Sequence, residues 1–490
     1  GYIDFAGGTV VLGKGASTAG TTVLNGNETT DGAAGVVIAT TGVTVVPEIN
    51  FTSGTVIFID TDSASMTTTE QGDIFAKNNI LSTYAVVTTT SDASIVATTR
   101  SDLAIATDLS ITENAARSLV QIVAADSSDV LSTINSSLIK TGAGVADTTT
   151  VTALVEQASV QEDSLSGSTQ ATRAMTGTVQ GIISNRMASL RSGDAYVTGM
   201  SAGNGVSANS AFIQAFGSEA EQDNTKERVG GNNVTKYGFD SDTAGVAIGF
   251  DAMTDSGSTV GISASYSSTD VTGKGVGKTK NSIDSYTVST YGDVATENGY
   301  LEGSLTYGIN ENSNTRSITA SGLNRIYKGA YDSEQISLKV GGGVPNEVKD
   351  GTFVTPFASA TATRISTDAY TETSNTANDG LKLKVAQDDI DSLVGSLGVK
   401  AHMVTDKGTP MISLAVNNEF GDNQISSTNN YTGGGTKFKT TTDVEELSAT
   451  LGLGYSFGND VTSLNLNYEG TTNDDEYVSH YGSVKIVAKF

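Results

Sequence analysis

The sequence predicts a mainly β protein. It reads as a 12-stranded antiparallel transmembrane β-barrel with a central α-helix, preceded by a small helical subdomain and an N-terminal β-solenoid-like segment. Three observations carry this. From about residue 210 onward, segments of roughly ten residues alternate between apolar and small polar side chains. Ahead of them, residues 168–192 combine helical spacing with a basic composition in an acidic chain. Residues 1–107 carry short β-branched runs punctuated by Gly, Asn and Asp.

Composition removes whole classes of chemistry. The 490 residues include no Cys, so disulfides, thiolate metal sites and Cys nucleophiles are excluded. The two histidines are His402 and His480, so residues 1–401 hold neither a Ser-His-Asp triad nor an imidazole-bound zinc. Phosphate-binding, EF-hand and H-E-x-x-H motifs do not occur. Gly341–Gly343 and Gly433–Gly435 lack a strand–helix context and read as turns or strand ends. No catalytic residue, metal or cofactor is expected. With 28 Lys+Arg against 54 Asp+Glu, the net charge of −26 argues against nucleic acid as a partner. No run of 18 apolar residues encodes a spanning helix, which leaves a barrel open because its strands give a weaker signal. The chain opens on Gly1 without a signal peptide, as a processed form or a fragment does.

The barrel is read strand by strand. In 446–457, Leu447, Ala449, Leu451, Leu453, Tyr455 and Phe457 share one face, and Glu446, Ser448, Thr450, Gly452, Gly454 and Ser456 share the other. The same alternation marks 210–219, 243–252, 258–268, 283–294, 299–309, 331–343, 352–365, 389–402, 409–420, 443–457, 460–469 and 477–490. The polar partners are mostly Ser, Thr, Gly and Asn, where a soluble sandwich would carry charge on its outer face. Tyr266, Tyr307, Tyr455, Phe457 and Tyr468 lie at strand ends on the apolar face, as an interfacial girdle requires. Short connections such as 254–257, 295–298, 406–408 and 458–459 read as periplasmic turns, and 220–242, 310–330, 366–388 and 421–442 as outside loops. Both ends of the barrel then lie on the periplasmic side. Val484, Ile486, Ala488 and Phe490 share a face at the end of the last strand.

Met175, Val179, Ile183, Met187 and Leu190 form a helical stripe in 168–192. This segment contains Arg173, Arg186 and Arg191 and no carboxylate. At ~1.5 Å per residue it spans ~38 Å, enough to cross a membrane, yet it is too polar to face lipid. It suits a wet lumen, with the arginines and Asn185 facing carboxylates such as Glu302, Glu446 and Glu469. Gly177 and Gly181 are expected to let it approach the wall closely. An exposed linker helix is the alternative.

Upstream, Leu119, Ile122 and Val123, then Leu131, Ile134 and Leu138, then Val151, Leu154, Val155 and Ala158 mark helical faces. The runs 9–12, 22–24, 35–38, 43–46, 55–59 and 84–87 suit the coils of a parallel β-helix, with a small sandwich as the alternative. The expected domains are 1–107 solenoid-like, 108–165 helical connector, 166–205 pore helix and linker, and 206–490 barrel.

Asn185–Arg191, Ala211–Ser218, Tyr237–Phe239, Ala244–Phe250 and Tyr266–Val271, in that order and with a terminal Phe490, resemble the start and end of a classical (type Va) autotransporter translocator domain. The resemblance covers about 165–490. It implies an outer-membrane autotransporter of type V secretion in a Gram-negative cell, with residues 1–107 as part of a passenger displayed at the surface. That passenger reads as structural or adhesive, and the chain as a non-enzyme. The resemblance implies outer-membrane lipid, periplasmic chaperones and the barrel assembly machinery as partners, with the Phe490 strand as the assembly signal, and a monomer. Some members of the family cut themselves at an Asn in the pore helix, but no Asn–Asn pair accompanies Asn185. A 12-stranded porin or transporter with an N-terminal plug is the alternative, and the side on which residues 1–160 lie separates the two.

Overall fold

A computed structural model describes residues 100–125, 148–160, 162–192, 209–253, 258–296, 298–459, 461–474 and 476–490, with eight short strands between residues 3 and 99. Twelve strands form the barrel: Asn209–Gln222, Phe239–Met253, Thr259–Gly273, Lys280–Ala295, Tyr300–Ile318, Arg325–Gly343, Thr352–Thr367, Ile390–Met403, Thr409–Glu419, Leu447–Gly458, Thr462–Asn473 and Tyr477–Lys489. They are called the first to twelfth strands below. Each pairs antiparallel with its neighbours, and the twelfth pairs with the first from Tyr477↔Gln222 to Lys489↔Ser210, so the sheet closes. A closed ring leaves no edge, and every strand finds backbone partners inside the hydrocarbon.

The tenth strand begins later than its alternation suggests. It starts at Leu447, and Gly434–Asp443 pairs instead with Gln424–Tyr431 in a hairpin above the barrel. The stretch Val444–Glu446 is the joint between the two. Gly434 and Gly435 take positive φ (147° and 82°) at the start of that hairpin's second strand, and Gly343 ends the sixth strand. A second hairpin, Thr225–Val229 with Asn232–Lys236, rises between the first and second strands. The connections 404–408 and 459–461 are short and lie at the end where the chain enters and leaves the barrel. In an outer-membrane barrel, which the sequence leads one to expect, that end is the periplasmic one, since such barrels keep short periplasmic turns and longer outside loops.

The alternation sorts the side chains. Ile248, Ile262, Val288, Leu305, Leu338, Leu397, Leu414, Leu453 and Ile486 are exposed on the outer face, as a lipid-facing band requires. Tyr266 packs on Tyr286 at 5.2 Å between ring centroids, and Phe250 on Phe490 at 6.1 Å. Inside, Ser263, Ser267, Ser285, Ser289, Thr306 and Ser337 are buried. Part of the lumen wall is aromatic. Phe216 lies opposite Gly245, Phe212 opposite Gly249, and Tyr291 opposite Gly261. A Cβ at those glycines would stand 2.3, 2.2 and 2.3 Å from the rings, so the absent side chain is what lets each ring lie flat across its neighbour strand.

Among the described residues four helices precede the barrel: α1 (Asp102–Leu109), α2 (Glu113–Ala125), α3 (Thr148–Ala158) and α4 (Glu162–Ser192). Helix α1 crosses the expected boundary at 107, and the expected face at Leu131, Ile134 and Leu138 falls outside the described residues. Ile105, Leu109, Leu119, Ile122, Leu154 and Val155 share a core with Val229, Ile318, Tyr327, Leu383, Tyr431 and Phe438 of the outer hairpins. The first three helices therefore pack on the outer end of the barrel. Farther upstream the strands stack in parallel: Ile3 pairs with Leu24 and Leu24 with Ile49, while Val10 pairs with Val36 and Val36 with Val56. Two antiparallel strands, Ser82–Thr88 and Asp92–Thr99, finish the second set. The run 43–46 falls outside the described residues.

Leu451 is 39 % exposed in mid-strand on the lipid face, whereas the Thr450 hydroxyl lies within 3.0 Å of Asn417 Nδ2 on the inner face. Leu451→Arg is expected to abolish assembled barrel, since Arg at mid-membrane costs about 2–4 kcal/mol. Thr450→Arg should assemble in far greater yield. Heat-modifiable barrel quantified on gels measures both, and equal yields would invert the assigned faces.

Candidate functional site: the helix in the barrel lumen

Helix α4 is the element around which the interior is organised. It runs 31 residues, about 46 Å, and begins six residues before the expected start at 168. The earlier start brings in Glu162 and Asp163, acids in the first turn, while Arg191 stands in the last; both ends complement the helix dipole. Asp163 accepts from Gly275 N (2.8 Å), in the outer connection between the third and fourth strands, and from Ser164 N (2.7 Å). At the other end Arg191 reaches Asp293 and Glu302, beside the periplasmic turn that joins the fourth and fifth strands. The N-terminus therefore lies outside and the C-terminus at the periplasmic end.

Its apolar stripe seats on one wall. Met175, Val179, Ile182, Ile183 and Met187 are buried against Phe212, Phe216, Ala247, Tyr291 and Val487. Polar contacts continue the seat: Gln180 donates to Thr306 Oγ1 at 3.0 Å, and Thr176 Oγ1 donates to Gln335 Oε1 at 2.5 Å. Gly177 and Gly181 do not provide the close approach expected of them, because a Cβ at either meets nothing within 4 Å. Gly167 does so instead, where a Cβ would stand 2.7 Å from Val271 Cγ1 and 2.9 Å from Phe239 Cγ. The stripe's buried side set the helix rotation and turned the two glycines away from the wall.

All three arginines find carboxylates, though mostly not the expected ones. Arg173 bonds Glu419 and lies 3.2 Å from Ser392 Oγ, near the outer end of the eighth and ninth strands. Arg186 is fully buried. Its Nε donates to Asp251 Oδ2 (2.8 Å) and its Nη2 to Asp251 Oδ1 (2.9 Å) and Ser210 Oγ (2.6 Å). Tyr291 Oη also donates to Asp251, at 3.1 Å. Arg191 donates to Asp293 (2.9 Å) and Glu302 (2.8 Å) and lies 3.6 Å over the Tyr300 ring. Glu302 is thus a partner, and Asp251, Asp293 and Glu419 are partners the strand pattern did not reveal. Each stands at or near a strand end, where the alternation is too short to assign a face.

Glu446 is not a lumen group. It is exposed in the joint before the tenth strand and accepts from Asn423 Nδ2 at 2.7 Å. Glu469 does face the lumen, where its electrostatic partners are Lys339 and Lys400 rather than a helix arginine. Asn185 lines a cavity at the periplasmic end with Ser189, Lys400 and Asn465. Val484, Ile486, Ala488 and Phe490 are all exposed on the outer face, and Phe490 N donates to Asn209 O at 3.0 Å. Among the described residues no group of three metal-binding side chains occurs.

Arg186 and Asp251 are 0 % and 1 % exposed, so neither charge is replaced by water when its partner is lost. Arg186→Met is expected to destabilise the barrel by about 3–5 kcal/mol, and Arg186→Met with Asp251→Leu to recover most of that. Guanidinium unfolding in detergent, followed by circular dichroism, measures it. A double variant no better than the single one would show that the pair's shape, not its charge, holds the site.

Residues 211–469 match the family described as the autotransporter beta-domain, and the chain belongs to that family. No curated protein matches the chain. Among solved structures, the translocator domain of the autotransporter NalP from Neisseria meningitidis is similar at 19 % identity, covering 66 % of this chain and 98 % of that one with a TM-score of 0.49. The beta domain of the Bordetella autotransporter Brka is similar at 19 % identity over 57 % of this chain and 98 % of its own, with a TM-score of 0.40. The transport unit of the autotransporter AIDA-I from Escherichia coli is similar at 12 % identity over 63 % and 98 %, with a TM-score of 0.41.

Proposed function

We propose that this outer-membrane autotransporter of type V secretion carries its N-terminal segment through the barrel and holds it at the cell surface, with the three arginines of α4 fixing the helix in the lumen afterwards. The observation that carries the reading is the polarity of α4. Asp163 binds an outer connection and Arg191 binds beside a periplasmic turn, so the chain ahead of α4 emerges outside. An N-terminal plug, the alternative, requires that segment on the periplasmic side. The translocator barrel has no enzymatic chemistry of its own. The parallel pairing of the strands upstream of residue 60 supports a solenoid-like displayed segment, structural or adhesive in role, and the missing histidines in residues 1–401 support the absence of triad chemistry in it. The exposed Val484, Ile486, Ala488 and Phe490 support recognition of the last strand by an assembly machinery, with chaperones meeting the unfolded barrel in the periplasm. The barrel is taken as a monomer, since its own ring satisfies its edges.

Residues 1–490 include no cysteine, which makes single-cysteine labelling clean. Leu103 in α1 is 47 % exposed, and Val461, in the turn between the tenth and eleventh strands, is 62 % exposed. On intact cells a membrane-impermeant maleimide is expected to label Leu103→Cys and not Val461→Cys, with the second labelled once the outer membrane is opened. The reverse order would establish the plug.

Deletion of Phe490 removes one exposed ring and a backbone bond to Asn209 at the seam. Folded barrel in cells is expected to fall several-fold, while protein refolded in detergent keeps its heat resistance. Undiminished insertion in cells would remove the last strand from the recognition step.

A further inference from the structure

We propose that the intact chain, with α4 in place, encloses a water-filled half-channel along the seventh to eleventh strands, closed at its outer end by two side-chain latches. This stands apart from what the N-terminal segment does at the surface. Its activity would be the passage of small hydrated ions, gated at the outer end.

The two sides of the lumen differ in burial. On the third to sixth strands the inward residues Ser267, Thr287, Ser289, Thr306, Gln335 and Ser337 are buried beneath the helix. On the eighth to eleventh strands the inward Ser396, Lys400, Ser413, Asn417, Thr450 and Asn467 remain partly exposed, and Glu469 is exposed. The helix shows the same asymmetry. Its face at Ala174, Gly177, Gly181, Asn185 and Ala188, spaced by three and four residues, is exposed or half-buried, and a Cβ at Gly177 or Gly181 would stand in open space. A cavity at the periplasmic end joins this face to Thr355, Lys400, Asn465 and Asn467. Asn465 is 4 % exposed, lines that cavity and leaves its Nδ2 without a partner, a donor placed for water or an anion.

The track stops toward the outside. Glu419, the outermost inward residue of the ninth strand, and Ser392 of the eighth strand, one inward position below Ile390, are buried, and Arg173 reaches both. Eight residues earlier in α4, about 12 Å farther out, Leu165 is buried among Ile365, Ile390 and Ile425, with Val444 packed against them. An ion pair and then an apolar contact therefore narrow the lumen at its outer end beside the seventh to ninth strands, while on the opposite side the stripe from Met175 to Met187 is packed against the wall.

Planar-bilayer recordings test this on three proteins: the full chain, the full chain with Leu165→Ser, Arg173→Ser and Glu419→Ser, and residues 193–490 without the helix. The full chain should stay closed. The triple variant should conduct at a fraction of the helix-free barrel, and adding Gly181→Phe should lower its conductance several-fold by filling the track. A triple variant that stays closed overturns the proposal. So does one that conducts like the helix-free barrel and ignores Gly181→Phe, because the helix has then left. Should the triple variant fail to fold, the closed chain itself can be probed. Asn467→Cys in refolded protein should react with a small methanethiosulfonate at least tenfold faster than Thr287→Cys, and equal rates overturn the half-channel.

Discussion

Every feature of this molecule follows from the rule that backbone amides and carbonyls inside hydrocarbon need partners. A sheet meets that rule only by closing, and closure is made by the pairing of Tyr477–Lys489 with Asn209–Gln222. Once closed, the ring fixes the chemistry of each strand. Alternate residues must be apolar for lipid, the others face inward, and the two ends of the barrel come out at one side. It also fixes the interior. Eight strands leave room for little more than side chains and sixteen leave an open channel, so twelve create a bore that one helix occupies without filling.

A helix in too wide a bore has to choose a wall. The wall that wins is the aromatic one, where Phe212, Phe216 and Tyr291 lie across glycines of the adjacent strands and present flat apolar surface to Met175, Val179, Ile183 and Met187. Apolar packing alone would tolerate sliding. The buried pair Arg186–Asp251 and the double contact of Arg191 with Asp293 and Glu302 do not, because a slip of one turn, ~5.4 Å, would leave each charge buried and unpaired. The ion pairs therefore set depth and the apolar face sets side. Arg173–Glu419 does the same at the outer end from the opposite wall.

The strands were legible because their period of two is local and their inward residues are small, which no soluble sheet face imitates. The helix was legible from its stripe and its arginines, but its start was not. Treating the segment as free of carboxylates excluded Glu162 and Asp163, which belong to the first turn for the sake of the dipole. Glu446 was misplaced because alternation carried through Val444–Glu446 into residues that belong to a separate hairpin. The partners Asp251, Asp293 and Glu419 lie far from α4 in sequence, and only barrel closure brings them to it. For the same reason the open side of Gly177 and Gly181 could not be read: sequence shows a gap in the side chains but not which way it faces.

The outer helices obey the same backbone rule in water. Gly434–Asp443 is the edge of a four-stranded sheet above the barrel, and an uncovered edge invites pairing with another chain. Helix α2 covers it with one face. Asn114 Nδ2 donates to Thr441 O (2.7 Å), its Oδ1 accepts from Thr441 N (3.3 Å), Arg117 donates to Lys439 O (2.7 Å), and Gln121 Oε1 accepts from Thr436 N (2.7 Å). At the far side of the same core, buried Arg316 holds Glu372 through two bonds (3.1 and 2.7 Å) and donates to the carbonyls of Gln157 and Ala158 at the end of α3. Those carbonyls have no partner within their own helix, and a cation there also meets the negative end of the dipole. Removing the helices would expose a strand edge, a buried guanidinium and the apolar surface of Tyr327 and Phe438 together. The outer hairpins and α1–α3 thus complete each other, which is why segments that read as outside loops in the sequence form paired hairpins above the barrel.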